Sequence, residues 1–97
     1  MGQKSARLGD IGSSHGCFPP TPTVMGSPDV FVNALPANRV GDDLVPHGCS
    51  SCSPHPRAVA EGSSTVSING KPATRISDGV DCGGQLCTGS PDVVIGD

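Results

Sequence analysis

The chain has 97 residues, a net charge of −3, 15% charged, 34% hydrophobic and 2% aromatic residues. This length allows one domain with a thin core, of the size that ordinarily leans on disulfides or a bound metal. The acidic balance without a basic run excludes a nucleic-acid or anionic-membrane binder, and no stretch approaches the roughly 18 apolar residues of a membrane helix or the apolar core of a signal peptide. The protein is therefore expected to be made in the cytoplasm, where cysteine clusters lean toward metal, and to leave the cell, if it does, by a route that ignores its N-terminus.

In chain order, RLGDIGSSHG (7–16) comes first and ends on His15 and Gly16. GSPDVFVNALPANR (26–39) follows, in which VFV (30–32) is a short β-branched and apolar run bounded by turn formers, hence a strand. Asn33-Ala34-Leu35 then makes a connection longer than, or turned differently from, a tight Asn-Gly turn, since Ala fits positive φ poorly. RVGDDLVPHG (39–48) repeats the opening phrase and ends on His47 and Gly48. CSSCSPHPR (49–57) reads as an irregular loop. GSSTVSINGKPATR (62–75) predicts a strand over TVSI (65–68) and a two-residue hairpin turn at Asn69-Gly70. RISDGVDCG (75–83) is the third version of the opening phrase, ending on Cys82 and Gly83, and GSPDVVIGD (89–97) closes the chain with a strand over VVI (93–95).

One offset separates Gly26 from Gly62, Asn33 from Asn69, Pro36 from Pro72, Arg39 from Arg75 and Asp42 from Asp78. The last copy stops where SARLGD (5–10) would continue it, so the chain reads as three copies of one unit, circularly cut within a copy. Internal repetition of this kind dictates architecture, here an all-β, loop-rich, pseudo-threefold object with no helix. The recurring pairs Arg7/Asp10, Arg39/Asp42 and Arg75/Asp78 suit salt bridges that brace local turns.

His15, His47 and Cys82 occupy matching places after those aspartates, and matching places on a threefold converge on its axis. Imidazole and thiolate suit Zn²⁺, and a closed tetrahedral site needs a fourth ligand. His55, in the segment that breaks the threefold, supplies it, and the glycines after the ligands permit a close approach. A single histidine among Gly, Ser and Pro is ordinarily a solvated surface residue; the repeat-equivalent placement argues for ligation. The rival set is Cys49-x-x-Cys52 with Cys82 and Cys87, an arrangement like a zinc ribbon, and Cys49–Cys52 is also a candidate disulfide. Cys17 has no assigned role. Ser, His and Asp are present without a nucleophile-elbow motif, so a hydrolase, and an enzyme generally, is not expected.

LPANRVGD (35–42) and KPATRISD (71–78) resemble the Pro-Ala-Ala-Arg repeats of PAAR-domain proteins, and VFVNALP, VSINGKP, SSHG, CGG and GSPDVVIGD extend the resemblance along nearly the whole chain. Asn38 and Thr74 stand where the second Ala is usual. The resemblance implies a small β cone whose base sits on a trimeric VgrG-like spike of a type VI secretion system or related contractile tail, with zinc near the vertex on His15, His47, His55 and Cys82. It further implies a structural spike-tip cap, one copy per trimer, that docks effector cargo, touches membrane only during puncture and is exported on the spike without a signal peptide. Residues 1–97 are read as a single such domain with no fused effector. The competing readings are a small metal-handling or redox protein built on Cys49 and Cys52, and a minimal secreted enzyme.

Overall fold

A computed structural model describes residues 2–49 and 52–96, with the backbone alone at Cys52. Among them run the short strands β1 (Gly2–Lys4), β2 (Ile11–Gly12), β3 (Thr21–Pro22), β4 (Phe31–Val32), β5 (Leu35–Pro36), β6 (Asp43–Cys49), β7 (Cys52–Ala58), β8 (Ser67–Ile68), β9 (Lys71–Pro72) and β10 (Val94–Gly96). They pair antiparallel as β1–β10, β2–β3, β4–β5, β6–β7 and β8–β9. The described residues contain no helix, as the dense Gly and Pro punctuation requires.

The three repeats form a ring. β4–β5 and β8–β9 are matching hairpins, and β10–β1 is the third, assembled from the two ends of the chain with Lys4 opposite Val94 and Gly2 opposite Gly96. The circular cut read from the sequence is thus closed by strand pairing. Around the axis the backbone bonds run in a cycle: Ala6 N–H donates to Thr74 O (2.9 Å), Thr74 N–H to Asn38 O (3.2 Å) and Asn38 N–H to Ala6 O (3.0 Å). A second cycle joins Leu8 N–H to Pro36 O, Val40 N–H to Pro72 O and Ile76 N–H to Lys4 O.

Both sequence phrases acquire a physical meaning here. In Arg-x-x-Asp the Asp N–H donates to the Arg carbonyl in all three copies, closing a β-turn. The Asp carboxylate accepts from the Arg backbone N–H and from its guanidinium, at 2.8 Å and 3.0 Å for Arg39 N and Nε on Asp42 Oδ2. Arg7/Asp10 and Arg75/Asp78 repeat that geometry. The Asp42 bonds hold the Arg39 guanidinium above its usual pKa. In Gly-Ser-x-x-Val, the Ser27, Ser63 and Ser90 hydroxyls accept the N–H of Val30, Val66 and Val93 at 2.9, 2.9 and 2.8 Å. The glycine is needed because a Cβ at Gly26, Gly62 or Gly89 would press on the carbonyl oxygen of Ala37, Ala73 or Ser5.

Two expectations are corrected. Asn33 and Ala34 form a two-residue turn with φ of 53° and 65°, the counterpart of Asn69 and Gly70 at 56° and 80°. The ring overrides the local preference of Ala34, because Asn33 is anchored on both sides, accepting from Arg7 Nη1 and donating to Asp92. CSSCSPHPR is not an irregular loop; apart from Ser50 and Ser51, which lie outside the described residues, it belongs to the β6–β7 hairpin, with His47 opposite His55 and Cys49 opposite Cys52.

From each Arg-x-x-Asp turn an arm grows out of the same rung: Thr23 N–H to Asp10 O, Val59 N–H to Asp42 O and Leu86 N–H to Asp78 O. The arms are unequal. The first holds β2–β3, the second the long β6–β7 hairpin, and the third only a tight loop closed by Gly79 against Gln85. The core divides accordingly. Val32, Ala37, Ile68 and Ala73 fill the ring side, joined by Val66, Val93 and Ile95, while Ala6, Leu44, Val59, Val80 and Leu86 fill the root of the arms, with Cys82 packed against them. Neighbouring residues such as Ala37 and Asn38 point to opposite sides of the ring because side chains alternate along extended backbone.

Candidate metal centre

The three arms deliver His15, His47, His55 and Cys82 to one place, where one ligand atom of each lies within 4.8 Å of all the others. His15 Nε2 is 3.0 Å from His47 Nε2, and Cys82 Sγ is 3.7 Å from the same nitrogen. His15 comes from the loop between β2 and β3, Cys82 from the short third arm, and His47 and His55 from facing positions of β6 and β7. The long second arm gives two of the four side chains because directly opposed residues put their side chains on one face of a ribbon.

Outer contacts orient the rings. His47 Nδ1 lies 2.8 Å from Pro19 O and His55 Nδ1 3.1 Å from Pro56 O. A carbonyl can only accept, so each Nδ1 carries the proton and each Nε2 keeps a lone pair, which at His47 faces His15 and Cys82, the arrangement typical of ligating histidine. Partial desolvation, followed by charge interactions with His47, Arg57 and His55, pushes His15 below the usual histidine pKa, toward the neutral form that can ligate. Gly16 adopts φ of 56° in the turn after His15, and Gly83 lies so close to the His15 ring that a Cβ there would sit 3.2 Å from its Cγ.

Phe18 was not singled out by the sequence. Its ring lies 5.0, 4.9 and 4.4 Å from those of His15, His47 and His55, packing the imidazoles from one side. Its rarity was the available signal, since the chain has only two Phe and neither Trp nor Tyr. The open concavity at the site is lined by His15, Phe18, His55, Pro56, Asp81 and Cys82.

Cys17, Cys49 and Cys87 do not join the cluster. Cys49 bonds to Cys17, not to Cys52, tying the first arm to the second near His15 and His47. A zinc ribbon on Cys49 is thereby ruled out, because a disulfide sulfur is not a thiolate ligand. Cys87 is exposed and bonds to Ile11 O, and the Cys52 side chain lies outside the described residues.

The chain matches the PAAR motif over residues 18–88. It belongs to the PAAR-motif family. Among its relatives are the NAD(P)(+) glycohydrolase toxin Tse6 and the (p)ppApp synthetase toxin Tas1, both of Pseudomonas aeruginosa, each 44% identical over 90 residues that cover 79% of this chain and 20% of the relative. A double-stranded DNA deaminase toxin A of Burkholderia cenocepacia is 44% identical over 69 residues, 71% of this chain and 5% of that protein. The chain thus spans a fifth or less of the length of the curated relatives it matches. The PAAR ring and the His/Cys group, which can hold a metal ion, are therefore features of this chain itself.

Proposed function

We propose that this protein is the structural tip of a contractile secretion spike of the type VI kind, seated one copy per trimeric VgrG-like spike, and that His15, His47, His55 and Cys82 hold Zn²⁺ near its outer end. The observation that carries the docking reading is the threefold ring itself: a single chain presents β4–β5, β8–β9 and β10–β1 as three equivalent ribbons. A symmetric trimer has three identical edges, and one chain engages all of them only by repeating itself. At equivalent outward positions the ring shows Phe31, Ser67 and Val94, the first and last 56% and 57% exposed, with Val30 and Leu35 adding apolar surface. Exposed apolar surface of this kind, bordered by open strand edges, suits strand addition to a partner sheet. The zinc reading follows from three imidazole nitrogens and one sulfur, the donor set of a closed structural site that fixes geometry and leaves no position for catalysis. Mounted on the spike, the chain would leave the cell with it, cross the target membrane only in passing, and carry effector cargo.

Mixing the chain with the trimeric spike protein of its own system and measuring the mass of the complex tests the docking. The expected ratio is one chain per trimer, and Phe31→Glu, Ser67→Glu or Val94→Glu is expected to weaken the complex while metal content stays unchanged. Three copies per trimer, or no complex with the cognate spike, would sink the reading.

A further inference from the structure

Arg57 is the largest fully buried side chain of the molecule, 1% exposed, and no carboxylate among the described residues pairs with it. Burying an unpaired guanidinium is costly unless several acceptors surround it. Its acceptors all come from the other two arms. Nη1 donates to Gly12 O (3.3 Å) and Thr21 Oγ1 (2.9 Å) of the first arm, and Nη2 donates to Ser13 O (2.8 Å) of the first arm and Gly83 O (3.3 Å) of the third. Nε finds no partner among the described residues. Arg57 itself stands two residues after His55 on β7, so one planar group bridges all three arms at residues adjoining or close to His15, His55 and Cys82. A guanidinium suits this place because its rigid fork reaches carbonyls on two segments at once, which a Lys ammonium on a flexible stem does not. Carbonyls in the arm loops have few ladder partners, and an apolar side chain here would leave them buried and bare.

We infer that Arg57 is a positioning residue of the metal centre: it sets the separation of the His15-bearing and Cys82-bearing arms and so brings four donors, rather than a subset, onto one ion. The inference rests on the metal reading above, and a metal titration separates the two. Cobalt(II) added to the purified chain, freed of metal and with the disulfide intact, reports four-coordinate binding by strong visible d–d absorption and thiolate ligation by a near-ultraviolet charge-transfer band. With Arg57→Met, cobalt affinity is expected to fall at least tenfold and the d–d bands to weaken toward the intensity of a six-coordinate ion. Arg57→Lys, which keeps the charge without the fork, is expected to recover part of the affinity and little of the band intensity. Thr21→Val removes one acceptor and leaves the fold largely intact; a two- to fivefold weakening with a shifted d–d envelope is expected. An unchanged spectrum and affinity in Thr21→Val overturns the role of Arg57 whether or not Arg57→Met folds. Failure of the unaltered chain to take up cobalt or zinc overturns the metal reading, and this inference with it.

Discussion

The ring and the arms start from the same Arg-x-x-Asp turn and are held together differently. In the ring three sets of bonds recur once per copy: the Arg–Asp pairs, the Ser hydroxyls on the Val amides, and the cycle through Ala6, Asn38 and Thr74. Past the rungs at Asp10, Asp42 and Asp78 that correspondence ends. The arms differ in length, share a small apolar cluster, and are joined to one another by the Cys17–Cys49 bond, the Arg57 fork and the His/Cys cluster. Repetition suits a surface that must meet a symmetric partner. A four-donor group needs one side chain more than a strict threefold can place, and the longer second arm provides it in His55, opposite His47.

The sharpest way to break the comparison is to remove the metal, because ligation to a small domain is itself folding free energy, on the order of 10–16 kcal/mol in zinc-finger peptides. Chelation is expected to abolish the cooperative melt of the arms or lower it by tens of degrees; a metal-free preparation with an unchanged transition would contradict this. Among the cysteines, Cys82→Ser is expected to release zinc readily. Cys49→Ser breaks the disulfide, whose 32-residue separation corresponds to a loss of about 3–4 kcal/mol in the chain-entropy account, yet should leave far more zinc bound. Cys52→Ser and Cys87→Ser should retain zinc as well. Zinc release and melting, measured on the same four variants, therefore rank differently.

The regular half of the molecule was the legible half. Repeated spacing in the sequence exposed the ring, the strands near VFV, TVSI and VVI, and the equivalence of His15, His47 and Cys82, because each repeat imposes the same local physics. His55 was found as the residue standing outside the threefold, although its segment was misread: the Pro-interrupted CSSCSPHPR carries no strand pattern, and pairing with β6 alone makes it extended. The Cys17–Cys49 bond joins segments with no local signal connecting them, so only the fold reveals it. Arg57 was illegible for the same reason, and Phe18 offered only its rarity, since their partners lie on other arms. Ala34 shows the converse, a local preference overruled by anchored neighbours.

A smaller effect is expected inside the ring, where two copies depart from alanine. Thr74 Oγ1 donates to Asn38 Oδ1 at 2.6 Å, and Asn38 Nδ2 donates to Met25 O, with both side chains buried, while the third copy has Ala6. Asn38→Ala strands the buried Thr74 hydroxyl and should cost about 1–3 kcal/mol, or some 4–8 °C of melting temperature per kcal/mol at this size. The double change Asn38→Ala with Thr74→Ala should cost less than the sum of the single changes, because the two residues satisfy each other. Additive losses would mean that the pair contributes nothing beyond its separate contacts. Zinc content should stay the same in all three, since neither side chain bonds to a member of the His/Cys group.

The smallest expected effect concerns the one place where the ring's own turn departs from its pattern. The third residue of Arg-x-x-Asp is Gly9, Gly41 and Ser77, with φ of 94°, 92° and 84°, so Ser77 holds a left-handed conformation that a Cβ disfavours by roughly 1–2 kcal/mol. No atom lies within 4 Å of a Cβ built at Gly9 or Gly41, so strain there is a matter of backbone and not of collision. Gly41→Ser should therefore lower stability by about 1 kcal/mol, and Ser77→Gly should raise it by somewhat less, because glycine also loosens the unfolded chain by about 0.4–1 kcal/mol. Denaturant midpoints of the two variants decide the matter. If both leave the midpoint where it was, the turn tolerates a side chain equally in all three copies, and Ser77 is a neutral drift from the repeat. If the signs come out opposed as expected, Ser77 marks strain that the third copy tolerates because Ser77 N–H still donates to Leu86 O, the rung that holds the Cys82 arm in place.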